Sequence, residues 1–197
     1  MSAEPGLRER KKAATRQALY EAAVRLAITH GADKVTVEAV ADEAGVSRRT
    51  FSNYFANKEE ALLHGDRRRM AELVELVRDR PADEDAWTAL SHAADGYYRR
   101  QGELDPQWIE QMRLLRKHPA LLVQQVSAFA SAERELTAAV AERLAYDDPG
   151  RLRARLMTAT FLTVTRVALH VWVEDPEGAE LREIAERALA EAGRGFA

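Results

Sequence analysis

Between Val37 and Phe55 the chain reads VEAVADEAGVSRRTFSNYF, and the spacing within this stretch decides the fold. Ala41 is small enough for two helices to cross closely, Gly45 tolerates left-handed backbone at a turn, and Val46 and Phe51 return to an apolar core. This is the pattern of a helix-turn-helix, with helices predicted over 37–44 and 48–54. With Phe51 and Phe55 facing inward, Arg48, Arg49, Ser52 and Asn53 face outward near the start of the second helix. In a helix-turn-helix these positions enter the DNA major groove. An Arg pairs bidentately with guanine and an Asn with adenine, each good pair giving about 1–3 kcal/mol of discrimination. Arg48, Arg49 and Asn53 are therefore the candidate base contacts. Thr36, Ser47, Thr50, Ser52, Tyr54 and Lys58 surround them as candidate backbone contacts, partly through helix N-termini. Paired cations oppose the dipole at a helix start, so a DNA-facing role explains Arg48-Arg49 better than a merely solvated surface does.

Outward from this stretch, helix signals recur and strand alternation does not exceed a few positions, so the chain is predicted to be all-α. Asp105-Pro106, Asp148-Pro149 and Asp175-Pro176 each join an N-cap carboxylate to a proline suited to a first helical turn. Thr36, Ser47, Asn57 with Glu60, and Asp83 mark further starts, while Gly31, Gly45, Gly102 and the residue before Pro119 mark stops. The expectation is nine helices, near 8–30, 37–44, 48–54, 58–79, 84–101, 106–117, 120–146, 150–174 and 176–193. Leu19, Ala22, Ala23, Leu26 and Ala27 give the first helix a stripe that can close over Val37, Val40, Ala41, Val46, Phe51 and Phe55. This defines an N-terminal helix-turn-helix domain over 1–65 with a basic arm, RERKKAATR from Arg8 to Arg16, followed by a helical bundle over 66–197.

The span from Thr36 to Leu63, TVEAVADEAGVSRRTFSNYFANKEEALL, resembles the N-terminal domain of TetR-family transcriptional regulators. The resemblance rests on AGVS, the Thr-aromatic step, YF, and Lys-Glu followed by leucines, with Thr15-Arg16 and Gly31 also in place; it covers roughly residues 13–65. The chain departs from the pattern at Arg49-Thr50-Phe51-Ser52, where many members have Gly-Thr followed by Leu-Tyr. The resemblance implies a nine-helix, all-α homodimer that represses transcription. It also implies release from double-stranded operator DNA when a small molecule binds the C-terminal domain.

In the C-terminal part, Leu156 to Val173, LMTATFLTVTRVALHVWV, is apolar around its whole circumference. Arg166 within a span of that length costs about 2.5–3.5 kcal/mol on insertion into a membrane, so no membrane partner is expected. Such a helix instead joins its own bundle on one face and the same helix of a second subunit on the other. The candidate dimer interface is Phe161, Val164, Ala168, Leu169 and Trp172, completed by Leu181, Ile184 and Leu189 of the last helix. Trp87, Tyr97, Tyr98, Trp108, Met112, Phe129, Met157 and Phe161 are candidate lining of an effector pocket, although such residues also fill cores. Arg113, Arg116, Lys117 and His118 gather before Pro119, where cations complement a helix C-terminus. Arg113 and Arg116 would also suit a basic mouth over an apolar pocket, and the resemblance here is to a TetR branch that senses acyl-CoA-like molecules. His92 and His170 read as hydrogen-bonded structural residues.

The composition limits the rest. The 197 residues are 46% hydrophobic and 31% charged, enough to close cores without crosslinks. With no cysteine, disulfides, thiolate metal sites and cysteine nucleophiles are excluded. The sequence shows no Gly-rich phosphate loop, metal-ligand spacing or catalytic triad, so neither an enzyme nor a cofactor is expected. The N-terminal stretch is polar and basic rather than secretory, which places the protein in the cytoplasm. Net charge is −3 overall, yet residues 1–69 hold 13 Lys/Arg against 10 Asp/Glu, or +3, leaving −6 for the remainder. That asymmetry points the N-terminal part toward a polyanion.

Overall fold

A computed structural model describes residues 6–101, 110, 113, 119–144, 149–176 and 178–196, with the backbone alone for 101, 119, 120, 122–129 and 149. Among them are nine α-helices and no strand: α1 Leu7–His30, α2 Val37–Glu43, α3 Arg48–Ser52, α4 Lys58–Leu62, α5 His64–Arg78, α6 Ala86–Gln101, α7 Pro119–Ala141, α8 Leu152–Glu174 and α9 Leu181–Gly193. Two 3₁₀ turns, Ala32–Lys34 and Pro149–Arg151, connect them. Of the helix expected over 106–117, residues 110 and 113 are described, both helical, and the others lie outside the described residues. The chain divides into two compact units, Met1–Arg67 with Asp105–Gln125, and Arg68–Leu104 with Val126–Ala197.

In the first unit, short polar side chains start the helices as the sequence suggests. Thr36 Oγ1 accepts from the Ala39 N–H at 3.1 Å, Ser47 Oγ from Thr50 at 3.1 Å, and Asn57 Oδ1 from Glu60 at 2.7 Å. Glu60 accepts in turn from the Ala56 N–H at 2.8 Å, closing a box around the start of α4. Each such cap contributes about 1 kcal/mol. Leu19, Ala22, Ala23, Val24 and Ala27 form the buried stripe of α1, which packs on α2 and α4. Val40, Ala41, Phe51 and Phe55 are buried against it, while Val37 and Val46 are half-buried. Truncating a fully buried Phe such as Phe51 to Ala costs about 3–5 kcal/mol, comparable to the whole stability of a small domain.

The sequence reads 58–79 as one helix, but it breaks at Leu63, whose φ/ψ of −91/1 leaves helical geometry. Leu62 and Leu63 are both fully buried, and the His64 ring packs edge-on to Phe55 at 5.4 Å and to Tyr20 at 5.9 Å. Three successive residues cannot all face one core from a continuous helix, since neighbours diverge by about 100°.

In the second unit, α9 packs on α8 and α6. Trp87 holds them together: its indole N–H donates to the Leu189 carbonyl at 3.2 Å and its ring stacks on Phe196 at 4.9 Å. A side chain at Gly193 would collide with that indole. Three boundaries differ from expectation. α6 begins at Ala86 because Asp85, not Asp83, accepts from the Trp87 and Thr88 N–H groups. α7 ends at Ala141, and Arg143 just beyond it donates to the carbonyls of Val77, Arg80 and Pro81 at 2.9, 2.9 and 2.6 Å, satisfying the end of α5. The last helix begins at Leu181 rather than near Pro176; Asp175-Pro176 instead opens a turn closed by the Gly178 N–H on the Asp175 carbonyl at 3.3 Å.

Candidate nucleic-acid interface

α2 and α3 meet through the turn that Gly45 makes with a φ of +66°, a conformation costly for residues with a Cβ. The Gly45 and Val46 N–H groups return to the carbonyls of Asp42 and Ala41 at 3.0 and 2.9 Å, tying the turn to α2. Ser47 then caps α3, and its hydroxyl also bonds Thr50 Oγ1 at 2.9 Å. Phe51 anchors α3 inward, so Arg48, Arg49, Ser52 and Asn53 all stand exposed. Arg48 is 73% exposed and reaches Glu38 of α2 at 3.0 Å. A surface pair of that kind contributes about 0–1 kcal/mol and yields readily to a competing anion. Thr36 and Ser47 are exposed, whereas Thr50 and Tyr54 are half-buried. The Arg16 guanidinium lies over the rings of Tyr54 and Phe55, 5.8 and 5.9 Å from their centres.

Lys58 departs from its expected place on the phosphate-contacting rim. Its ammonium donates to the carbonyls of Ala32, Asp33 and Val35 at 3.0, 3.3 and 2.8 Å. An ammonium has three N–H donors, and three carbonyls engage them, which clamps the α1–α2 connection onto the start of α4.

The residues expected in the effector half separate into groups. Trp87, Tyr97, Met157 and Phe161 are buried in one core cluster with Leu90, Leu136 and Val140. Tyr98 packs against this cluster half-buried, edge-on to Tyr97 at 5.5 Å, and burial pushes its phenol well above the ordinary range. Arg113 is exposed and paired with Glu110 at 2.5 Å. Trp108, Met112 and Arg116, and the side chain of Phe129, lie outside the described residues. Thr158, which sequence reasoning passed over, is fully buried on α8 beside Met157, and its hydroxyl has no hydrogen-bond partner among the described residues.

Of the residues expected at a dimer interface, Phe161, Ala168, Trp172, Leu181 and Leu189 are buried inside the protomer and leave little surface for a partner, while Val164, Leu169 and Ile184 are half-buried. The large apolar side chains that α8 exposes are Leu152, Leu156, Val167 and Val171. By length and composition α8 can span a membrane, with mean hydropathy 1.4 over its most apolar window, but 44% of that window is buried inside the protein.

Comparison with known proteins adds to this geometry. Residues 19–64 match the model of bacterial regulatory proteins of the TetR family, and 84–197 match that of the MftR C-terminal domain. The chain is 32% identical over 174 residues to the HTH-type transcriptional regulator TcmR of Streptomyces glaucescens, covering 85% of this chain and 77% of that one. The chain belongs to the TetR family of bacterial transcriptional regulators. As a TetR-family protein it is a DNA-binding regulator, and its helix-turn-helix is the segment α2–α3. Two solved structures share the fold. SmeT, the repressor of the Stenotrophomonas maltophilia multidrug efflux pump SmeDEF, has a TM-score of 0.65 at 19% identity, over 91% of this chain and 89% of that one. Thermus thermophilus FadR in complex with lauroyl-CoA has a TM-score of 0.59 at 24% identity, over 92% and 95%.

Proposed function

We propose that this TetR-family regulator is a homodimeric repressor that reads a palindromic operator through α3 and leaves it when a small hydrophobic or acyl-CoA-like molecule binds. In this reading the N-terminal domain over 1–65 holds DNA and the C-terminal domain over 66–197 dimerises and senses the effector. The observation that carries it is the exposed set Arg48, Arg49 and Asn53 on a helix whose Phe51 is buried and whose start is capped by Ser47. These three contact bases, while Thr36, Ser47, Thr50, Ser52 and Tyr54 contact the sugar-phosphate backbone. Such a protein acts in the cytoplasm, where the DNA is.

The effector reading is supported by the protein of the same fold solved with lauroyl-CoA. A ligand that binds the non-DNA shape more tightly shifts the population off the operator by no more than its differential affinity.

The test is fluorescence anisotropy with DNA from upstream of the protein's own coding region, against a scrambled duplex, with and without acyl-CoA. The wild type is expected to prefer the upstream duplex, and Arg48→Ala to lose about 1–3 kcal/mol of preference at one base pair per half-site. Equal binding of the wild type to both duplexes counts against the reading at this locus, and acyl-CoA without effect counts against the ligand class.

A further inference from the structure

Between the first turns of α1 and the C-terminal end of α3 lies a groove of about 730 Å³. One wall carries Arg8, Lys11 and Lys12, and the other Thr50, Asn53 and Tyr54. From the geometry we infer that this groove seats a length of DNA sugar-phosphate backbone, so that the arm adds sequence-independent contacts beside the recognition helix. The inference rests on the reading of α3 as the DNA-facing element.

Three observations carry it. The first is charge: three cations face one acid, Glu9, in the lining, and among the described residues none of the three pairs with a carboxylate. Four cations and one acid within Leu7–Thr15 are otherwise an unfavourable crowding at a helix start, where the dipole prefers anions. The second is register. Positions 8, 11 and 12 follow i, i+3, i+4 spacing, so they share one face and cover about 6 Å of helix length, presenting their charges as one strip. The third is continuity. Thr50, Asn53 and Tyr54 belong both to this groove and to the end of the proposed reading helix, so a duplex lying on α3 brings its own backbone alongside the arm.

The wall formed by Tyr54 is held in place. Arg16 sits over its ring, and the buried Arg16 Nε makes no hydrogen bond among the described residues, so the two aromatic faces hold that cation, which adds positive potential beside the groove. A pocket for a small organic effector is enclosed. This groove is open and Arg8, Lys11 and Lys12 stand exposed along it, which suits a continuous polyanion passing along the surface.

The experiment uses the full-length protein and a duplex selected by the wild type from a randomised library. Binding is followed by anisotropy over a NaCl series for wild type, for the triple variant Arg8→Gln, Lys11→Gln, Lys12→Gln, and for Arg48→Ala. All three arm positions are exposed, and an unchanged helical circular dichroism signal checks that the variant folds. Each lost phosphate contact lowers the slope of log K against log salt by about 0.9, so the triple variant should lose about 2–3 in slope. Its affinity should fall on the order of 10- to 100-fold at 0.1 M NaCl, by the same factor on selected and scrambled duplexes. A wild-type slope in the triple variant, alongside lost selectivity in Arg48→Ala, overturns the groove assignment and leaves the reading of α3 intact. A changed sequence preference in the triple variant overturns it too, because the arm would then be reading bases. Failure of the wild type to select any duplex overturns the reading of α3 and this inference with it.

Discussion

At the scale of single residues, function depends on which groups are already engaged. Arg48 stands 73% exposed with only a surface pair to Glu38, so its guanidinium is available to DNA at little cost. Lys58 holds three carbonyls, and moving it to a phosphate would strip all three. Its effect on DNA binding is therefore indirect, through the position of Thr36 and the start of α2. Replacing it by Met should lower stability by about 1–3 kcal/mol, seen in urea unfolding, and weaken DNA binding while leaving the slope of log K against log salt at the wild-type value. A slope reduced by about 0.9 would instead show Lys58 on a phosphate. The difference between the two residues explains what the sequence discloses. Arg48 follows from spacing relative to Phe51, a local pattern, whereas the partners of Lys58 lie 23 to 26 positions away and are backbone atoms that no side-chain motif marks.

At the scale of elements, the helix starts with local caps are legible and those decided by distant contacts are not. Thr36, Ser47 and Asn57 cap where they are expected because a cap needs only the next three residues. Asp175-Pro176 carries the same local signal, yet the chain turns there and α9 waits until Leu181, buried against the bundle. The connection from α5 to α6 is likewise built by contacts that skip along the chain. Glu84 accepts from Arg80 Nε at 2.8 Å and pairs with His92 Nδ1 at 3.0 Å. Hydrogen bonding from Arg80 first, and then from His92, holds the Glu84 carboxyl at about 2, below its ordinary 4.5. A carboxyl depressed in the folded state stabilises fully above its unfolded value and loses that contribution as pH falls through the folded one. Thermal unfolding of Glu84→Gln should therefore fall below wild type near neutral pH, with the gap narrowing from about pH 4.5 downward. A gap that stayed constant to pH 3 would mean the pair contributes nothing through its charge.

At the scale of the whole molecule, the question is what covers α8. A helix apolar all round tells a sequence reader that two faces are engaged, but not which face meets which partner. The structure divides them: Met157, Phe161, Ala168 and Trp172 turn into the protomer's own core, and Leu152, Leu156, Val167 and Val171 remain 46–61% exposed along one helix. Scattered exposed apolar side chains are ordinary on soluble proteins, but a row on a single helix is the surface that a second copy would cover symmetrically in the proposed dimer. A palindromic site requires two reading helices about 34–36 Å apart, which one protomer cannot supply. Placing charges on the row, as Val167→Asp with Val171→Asp, sets four like carboxylates against one another across a two-fold axis while leaving the protomer core untouched. Sedimentation velocity should then show one chain where the wild type shows two, with helical circular dichroism unchanged. The same variant should bind a palindromic duplex no more tightly than a single half-site. A double variant that still sediments as two chains would place the dimer contact elsewhere, on a surface that does not include this row.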